Sequence, residues 1–205
     1  MPHLLRIDAS TRTDGSFSRT LGDRAEARWR AANPGGTVTT RTITDGSIPP
    51  IAQDTITGFY TPPEAITDDL RAATALSDTL IAELQQADTL LLTTPIYNFT
   101  VPAALKAWID QIVRIGHTFA YEDGSFRGLV QTRRAIVACA YGAEGYLNDG
   151  PLAGADFLAP YLKFLLGFLG IEDIQIVGIE GTTGDLAALS QKEAQAIAAI
   201  EARAA

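Results

Sequence analysis

Apolar residues along this chain follow two patterns, short runs that suit strands and longer segments with helical spacing. The runs rich in Leu, Ile and Val are continuous, which is typical of strands buried on both faces of a parallel sheet. Residues 37–43 instead alternate β-branched and polar side chains, the pattern of a half-buried strand. The predicted strands are residues 4–8, residues 37–43, the run that starts at Leu90, residues 134–140 and residues 174–179.

Helices are predicted between these strands, where apolar side chains recur at every third or fourth position. The first follows residues 10–18 and stops at Asn33-Pro34-Gly35-Gly36, a sequence that ends helices. Its predicted face holds Leu21, Ala25, Arg28, Trp29 and Ala32. The second helix is predicted at residues 67–86, and its apolar face holds Leu70, Ala73, Leu76, Leu80, Ile81 and Leu84. The third helix follows the third strand, and its apolar face holds Leu105, Trp108, Ile109, Ile112 and Val113. Further helices are predicted at residues 151–170 and 186–203.

Two connecting segments have patterns of their own. Residues 44–63 contain four prolines, which predict a loop with at most a short helical turn. Residues 118–121 and 125–127 flank Glu122-Asp123-Gly124, a sequence that predicts a β-hairpin.

Five strands alternating with five helices indicate the α/β class, with a doubly wound five-stranded parallel sheet and helices on both faces. The simplest arrangement is a flavodoxin-like strand order. No repeat or interdomain linker interrupts the pattern, so residues 1–205 are predicted to form one domain.

Composition narrows the possible functions. The net charge is −8 and the pI about 4.7, which argues against nucleic acid as a partner because phosphate binding needs clustered Lys and Arg. The single Cys139 excludes an internal disulfide, and the two histidines suggest no metal site. The N-terminal residues lack the pattern of a signal peptide, and residues 157–171 are too short to span a bilayer. We therefore expect a cytoplasmic protein without a membrane partner.

Three loops follow the first, third and fourth predicted strands, and each has a composition that suits a ligand. Residues 10–18 are small and hydroxylated and lead into a helix N-terminus, where backbone N–H groups favour an anion such as a phosphate held without a fixed cation. The alternative is a polar loop that only caps the helix, with Ser18 as the N-cap residue.

The second loop, residues 95–100, places two aromatic residues around Asn98, an arrangement that suits stacking against a heteroaromatic ring. The alternative is that Tyr97 and Phe99 belong to the core and Asn98 forms a turn. The third loop, residues 141–145, contains glycines that let backbone N–H groups approach a ligand, although an ordinary turn has the same composition. Because all three loops lie at one edge of a parallel sheet, together they predict a site for a mononucleotide with a planar head group, such as FMN.

With these motifs, the sequence resembles the FMN-dependent NADH:quinone oxidoreductases, also called FMN-dependent NADH azoreductases. The resemblance extends over nearly the whole chain. It rests on Ser10 with Ser16-x-Ser18, Pro95-Ile96-Tyr97-Asn98-Phe99, Gly116-His117-Thr118-Phe119-Ala120-Tyr121, Gly128-Leu129-Val130, Gly150-Pro151, Pro160-Tyr161-Leu162 and Gly167-Phe168-Leu169-Gly170-Ile171.

The resemblance implies a homodimer with one FMN per subunit near the dimer interface. The residues it implies for FMN are Ser10, Ser16, Phe17, Ser18, Pro95, Ile96, Tyr97, Asn98, Phe99, Ala140, Tyr141, Gly142 and Ala143. Asn98 is the expected catalytic residue, as an anchor of the ring edge near N5. The expected substrate-binding residues are Phe119, Tyr121, Phe164 and Leu165, with the hairpin aromatics reaching toward the partner's site. Two departures from the family, Ala140 in place of Ser and Ala143 in place of Gly, bear on the flavin potential.

The expected reaction is a two-electron ping-pong reduction in which NADH or NADPH and then a quinone or azo compound use the same place on the flavin. His117 is a candidate proton donor, although its position after the third helix favours a helix-capping role. Two alternatives remain from the sequence. One is a flavodoxin-type electron carrier without its own NADH-dependent activity, and the other is a flavin-free domain of the same fold.

Overall fold

The computed structural model describes residues 1–184 and 186–204. The described strands are β1 His3–Asp8, β2 Thr37–Thr42, β3 Thr89–Pro95, β4 Phe119–Glu122, β5 Ser125–Gly128, β6 Arg134–Ala140 and β7 Asp173–Ile179. The described α-helices are α1 Phe17–Ala32, α2 Gln53–Tyr60, α3 Asp68–Gln86, α4 Ala103–Ile112, α5 Ala159–Phe168 and α6 Leu186–Arg203.

Five of the strands form one parallel sheet in the order β2-β1-β3-β6-β7. The two inner strands with the most continuous burial are β3 and β6, and after its first residue each contains only apolar residues and threonine. Strand β2 lies at an edge, where its exposed and half-buried threonines meet solvent. The predicted flavodoxin-like order of a doubly wound sheet is confirmed.

Helices cover both faces of the sheet and create two apolar layers. On one face α1 and α6 contribute Trp29 and Ile200. On the other, α3, α4 and α5 contribute Leu84, Trp108 and Leu166. Burial of these side chains supplies most of the driving force for folding, roughly 1.5–3 kcal/mol for each large apolar side chain.

A full helix, α2, occupies the segment that the sequence predicts as loop. Its eight residues contain no proline, because the four prolines of residues 44–63 fall in pairs on either side of it. Gly58 lets α2 lie close to α3, since a Cβ at this position would lie 2.6 Å from Cγ2 of Thr74. Tertiary packing therefore stabilises a helix that is too short to be stable alone.

The predicted helix at residues 151–170 is wrong in its first half. Residues 153–155 form a 3₁₀ turn, and α5 begins only at Ala159. Asp156 fixes this start, because its Oδ1 accepts the N–H groups of Leu158 and Ala159 at 2.8 and 3.1 Å. Pro160 in the first turn also suits a helix start.

The predicted helix faces are right in the apolar centre and wrong at their margins. In α1, Leu21, Ala25 and Trp29 are buried, whereas Arg28 and Ala32 are exposed. In α3 the predicted Leu80, Ile81 and Leu84 are buried, whereas Leu70, Ala73 and Leu76 are only half-buried. Thr74 and Ser77 are buried instead: Thr74 lies against Gly58 of α2, and Ser77 Oγ donates a hydrogen bond to the carbonyl of Gln111 in α4 at 2.6 Å.

The predicted hairpin is present as β4 and β5, and it lies at the amino-terminal edge of the large sheet. Gln85, in the last turn of α3, donates to the carbonyls of His117 and Leu129 on either side of it, both at 3.2 Å. Gly128 also abuts the backbone of Leu169 and Gly170 after α5. No helix in the described part of the chain is long and apolar enough to cross a membrane.

Candidate functional site

Four loops at the carboxyl edge of the sheet enclose a cavity of about 240 Å³. Its lining residues are Ser10, Arg12, Gly15, Ser16, Phe17, Ser18, Pro95, Ile96, Tyr97, Ala140, Gly142, Thr182 and Thr183. The three loops singled out from the sequence therefore meet at one site, as the parallel topology requires. Sequence reasoning missed the fourth loop, Gly181-Thr182-Thr183-Gly184, although it follows β7 at the same edge and has a turn-forming composition.

The loop after β1 places three hydroxyl groups at the start of α1. Ser16 is the N-cap residue, and its Oγ lies 3.5 Å from the N atom of Arg19 and 3.3 Å from Oγ of Ser18. Ser10 Oγ accepts the N–H of Arg12 at 3.3 Å. Ser18 lies inside the helix, so the alternative that made Ser18 the N-cap residue is wrong by two positions. Because the first N–H groups of a helix have no intrahelical acceptor, this end favours an anion.

A buried ion-pair network lies directly behind the loop after β1. Asp8 accepts from Arg6 at 2.9 Å and from the hydroxyl of Thr93 at 2.8 Å, and Arg19 lies 3.6 Å from its other oxygen. Arg19 also donates to the carbonyl of Ser10 at 2.9 Å, so a fixed cation that sequence reasoning did not expect holds this loop. Burial alone lowers the pKa of Arg6, but Asp8, Asp23 and Glu26 outweigh it and keep the guanidinium charged.

The loop after β3 is a tight two-residue turn. Tyr97 and Thr100 exchange backbone hydrogen bonds at 3.0 and 3.1 Å, and the central residues Asn98 and Phe99 have φ of 47° and 73°. Positive φ at both central positions is typical of a type I′ turn and is strained for a bulky residue such as Phe99. Phe99 is 51% exposed and Tyr97 36%, so the alternative that both belong to the core is wrong. A bulky aromatic residue that is exposed and held in a strained conformation beside a cavity indicates a functional constraint.

The Tyr97 hydroxyl connects the first two loops. Its oxygen lies 2.8 Å from Oγ1 of Thr11, across the opening of the cavity. The carbonyl of Phe99 accepts the N–H of Phe157 at 2.9 Å, which fixes the far side of the turn to the segment before α5. The turn is therefore held on both sides.

The loops after β6 and β7 are bound to each other. Thr182 and Thr183 donate through both N–H and hydroxyl to the carbonyls of Tyr141 and Gly142, at 2.9 to 3.2 Å. Because C=O and N–H point in opposite directions across a trans peptide, the N–H groups of Gly142 and Ala143 are directed away from the β7 loop. Neither N–H has an acceptor among the described residues.

Tyr141 itself is fully buried, and its ring does not line the cavity. Its hydroxyl donates to Oδ2 of Asp156 at 3.0 Å, and its ring stacks on Tyr146. Burial, followed by the nearby Cys139 and Asp156, raises the pKa of Tyr141. Burial also raises the pKa of Cys139 to about 12, which keeps it a thiol as expected for a core residue.

Comparison with known proteins agrees with this geometry. Residues 2–204 match the family model described as a flavodoxin-like fold. The chain is 53% identical over 176 residues to the FMN-dependent NADH:quinone oxidoreductase of Xanthobacter autotrophicus. The matched residues cover 86% of this chain and 85% of that protein. The chain belongs to the family of FMN-dependent NADH:quinone oxidoreductases. It is therefore an oxidoreductase, and the resemblance recognised in the sequence is confirmed.

Further relatives of this oxidoreductase family support the assignment. The FMN-dependent NADH:quinone oxidoreductase of Acidobacterium capsulatum is 44% identical over 180 residues, 88% of this chain and 86% of that protein. The crystal structure of an FMN-dependent NADH-azoreductase from Bacillus anthracis in complex with FMN is 26% identical, with a TM-score of 0.87 over 100% of this chain and 98% of that one. Another azoreductase structure from Bacillus anthracis, at 24% identity and a TM-score of 0.90 over 100% of this chain and 99% of that one, shows the shared fold.

Several residues that the oxidoreductase resemblance implies do not line the cavity in this chain. Asn98, Phe99 and Ala143 lie on the bordering loops but are not among the lining residues. Leu165 is buried in the core, whereas Phe164 is 70% exposed and lines a separate apolar groove of about 520 Å³.

The hairpin residues Phe119 and Tyr121 lie at the opposite edge of the sheet from the cavity of their own chain. His117 lies at that same edge, where partial burial of its ring and then the charge of Arg114 lower its pKa. The described residues contain no group of three or more His, Cys, Asp or Glu that could hold a metal ion.

Proposed function

We propose that this protein binds FMN in the four-loop cavity and uses it to reduce quinones and azo compounds by two electrons, with NADH or NADPH as donor. The observation that carries the proposal is the convergence, at one edge of the sheet, of a hydroxyl-lined helix start, an exposed aromatic turn and two free backbone N–H groups. The relatives named above as FMN-dependent NADH:quinone oxidoreductases and azoreductases support the same assignment.

The phosphate of FMN fits the start of α1. Ser10, Ser16 and Ser18 supply hydroxyl donors, and the helix supplies N–H groups and the positive end of its dipole. No acidic residue lies in the first turn of α1 to repel an anion. Arg19 binds the Ser10 carbonyl, which keeps that acceptor occupied and away from a phosphate oxygen.

The ring of FMN fits between the Tyr97–Phe99 turn and the loop after β6. Bound FMN supplies hydride acceptance and donation, chemistry that no side chain of this protein has. The N–H groups of Gly142 and Ala143 are free donors for a ring oxygen, and such donors favour the negative charge of a reduced ring. Asn98, held at φ 47° in the turn, is the side chain proposed to anchor the other ring edge.

An open cavity mouth favours one shared place for both substrates. The cavity volume of about 240 Å³ is below the roughly 300–1,000 Å³ of pockets that enclose a ligand. The part of the ligand beside exposed Phe99 would therefore keep one face accessible. Successive occupation of this face by the nicotinamide donor and the acceptor gives ping-pong kinetics, and stacking tolerates many aromatic acceptors.

A homodimer would complete the site. Large apolar residues are exposed on the turn after β3, in the apolar groove and on the hairpin at the other edge, and groups of exposed apolar residues mark interaction surfaces. They are Phe99 in the turn, Phe157 and Phe164 in the separate apolar groove, and Tyr121 and Phe126 on the hairpin. We propose that the hairpin of one subunit covers the cavity mouth of the other. Phe119 packs on its own Phe168, at a centroid distance of 5.0 Å, and so supports the hairpin.

The donor preference and cellular location are further parts of the proposal. Arg12 lines the cavity and is therefore the candidate for contact with a charged donor. Arg12→Gln should lower kcat/KM for NADPH more than for NADH, and an equal loss for both would remove Arg12 from donor selection. We expect activity in the cytoplasmic fraction of the source cells, and activity confined to membranes would contradict this.

The function is tested by recording the flavin spectrum of the purified protein and adding NADH without air. We expect a yellow protein that NADH bleaches and a quinone re-oxidises. A yellow protein that NADH leaves unchanged would favour an electron carrier, and a protein that cannot be loaded with FMN would reject the proposal. Asn98→Ala should slow the bleaching or weaken FMN binding, whereas Asn33→Ala, far from the cavity, should do neither.

A further inference from the structure

The carboxylate of Glu180 is at the centre of the loop that borders the cavity. Glu180 directly follows β7, and its Oε2 accepts three successive backbone N–H groups, from Gly145 at 2.9 Å, Tyr146 at 3.0 Å and Leu147 at 3.2 Å. Hydrogen bonds to an ionised acceptor are about twice as strong as neutral ones. A half-buried charge with three donors is therefore a strong constraint on the path of this loop.

Glu180 is the first residue of a longer connection between the two loops. The N–H of Gly181 donates to the carbonyl of Ala143 at 3.1 Å, and the N–H groups of Thr182 and Thr183 occupy the next two carbonyls. The carbonyls of residues 141–143 are thus all bound by the β7 loop. The N–H groups of Gly142 and Ala143, which lie between these carbonyls, are left free.

We propose that Glu180 is a positioning residue that holds residues 141–147 so that the free N–H groups of Gly142 and Ala143 face the cavity. This inference rests on the proposed function, because it assigns to Glu180 control of the affinity and reduction potential of bound FMN. Glu180 acts through the loop and is not itself in the cavity lining.

Two substitutions separate positioning from the charge of Glu180. Glu180→Gln removes the charge and keeps the length of the side chain. Glu180→Asp keeps the charge but is shorter by one methylene, so a single oxygen no longer reaches all three N–H groups. Glu144→Gln is the matched control, because Glu144 lies in the same loop and its exposed carboxylate pairs with Lys192 instead.

The first measurement needs no flavin. Amide hydrogen exchange in the flavin-free protein should become at least about tenfold faster at residues 145–147 in both Glu180 variants and remain unchanged in Glu144→Gln. Unchanged exchange in Glu180→Gln and Glu180→Asp would overturn the positioning role. A wild-type protein that binds no FMN would overturn the proposed function separately.

The second measurement uses the FMN-loaded protein. The dissociation constant for FMN should rise about tenfold in both Glu180 variants. A change of this size corresponds to the free energy of about one hydrogen bond to a charged group, which the loop loses when Glu180 no longer holds it. The reduction potential should become more negative in both, because misplaced N–H donors stabilise reduced flavin less. A more positive potential in Glu180→Gln, with no change in Glu180→Asp, would show a through-space charge effect and overturn the inference.

Discussion

Gly128 is the position where the hairpin and the sheet domain meet most closely. A Cβ at Gly128 would lie 2.3 Å from the N atom of Gly170 and 2.3 Å from the carbonyl carbon of Leu169. These are backbone atoms, so the hairpin would have to move by about 1 Å or more to restore ordinary contact at roughly 3.5–4 Å. Overpacking of this kind costs about 1–3 kcal/mol.

Gly128→Ala should therefore lower Tm by about 2–12 °C, since 1 kcal/mol shifts Tm by roughly 2–4 °C in a domain of this size. FMN affinity should remain within about twofold of wild type, because Gly128 lies at the opposite edge of the sheet from its own cavity and the hairpin is proposed only to cover the mouth of the partner's cavity. The rate of quinone reduction should fall by a larger factor than the fraction of subunits that hold FMN. The reason is that, in the proposed homodimer, the displaced hairpin no longer covers the partner's site.

Differential scanning calorimetry, FMN titration and steady-state kinetics measure the three effects. Gly124→Ala is the control at the hairpin tip, where φ is +80° but no atom lies within 4 Å of an added Cβ. It should cost only the roughly 1–2 kcal/mol of left-handed backbone strain. A Tm for Gly128→Ala equal to that of wild type would refute the close contact, and an unchanged quinone rate would refute the role of the hairpin.

Three further predictions concern single side chains. Ser16→Ala removes the N-cap of α1 and should lower the free energy of unfolding, measured in urea titrations, by about 1 kcal/mol. It should also weaken the binding of FMN more than the binding of riboflavin, which lacks the phosphate. Equal weakening of both would place the phosphate elsewhere. Tyr141→Phe removes the hydrogen bond to Asp156 and should lower the free energy of unfolding by about 1 kcal/mol without changing the flavin spectrum. Because burial raises the pKa of Cys139 from 9.0 to about 12, its contribution to stability is present below pH 9 and is lost as the pH rises toward 12. Cys139→Ala should flatten the fall in unfolding free energy over that range, measured by urea titration at several pH values, and an unchanged slope would contradict the assignment.

The fold was predictable because apolar periodicity and strand alternation are local signals that agree with each other. Strand β6 was predicted with the observed bounds, and the inner strands β1 and β3 were recognisable from their continuous apolar runs. Helix α2 was missed because its stability comes from contact with α3 rather than from its own sequence. Asp156 and Pro160 both mark the start of α5, but the apolar character of the whole segment led to the prediction of a longer helix.

The candidate site was predictable as a set of loops but not in its connections. Parallel topology brings the loops after β1, β3 and β6 to one edge of the sheet, and residues from all three loops line the cavity there. Which atoms are free could not be read from the sequence, because that depends on long-range hydrogen bonds such as those from Glu180 to residues 145–147. The buried position of Tyr141 and the contact of Arg19 with the Ser10 carbonyl are likewise tertiary effects.

The central claim is that this cavity holds FMN for reduction by a nicotinamide donor. The most direct test is anaerobic stopped-flow mixing of the FMN-loaded protein with NADH, followed by addition of a quinone in a second mix. We predict complete bleaching of the flavin within a single turnover and return of the oxidised spectrum with one equivalent of quinone. Flavin that stays oxidised in the presence of NADH, or reduced flavin that the quinone does not re-oxidise, would contradict the account.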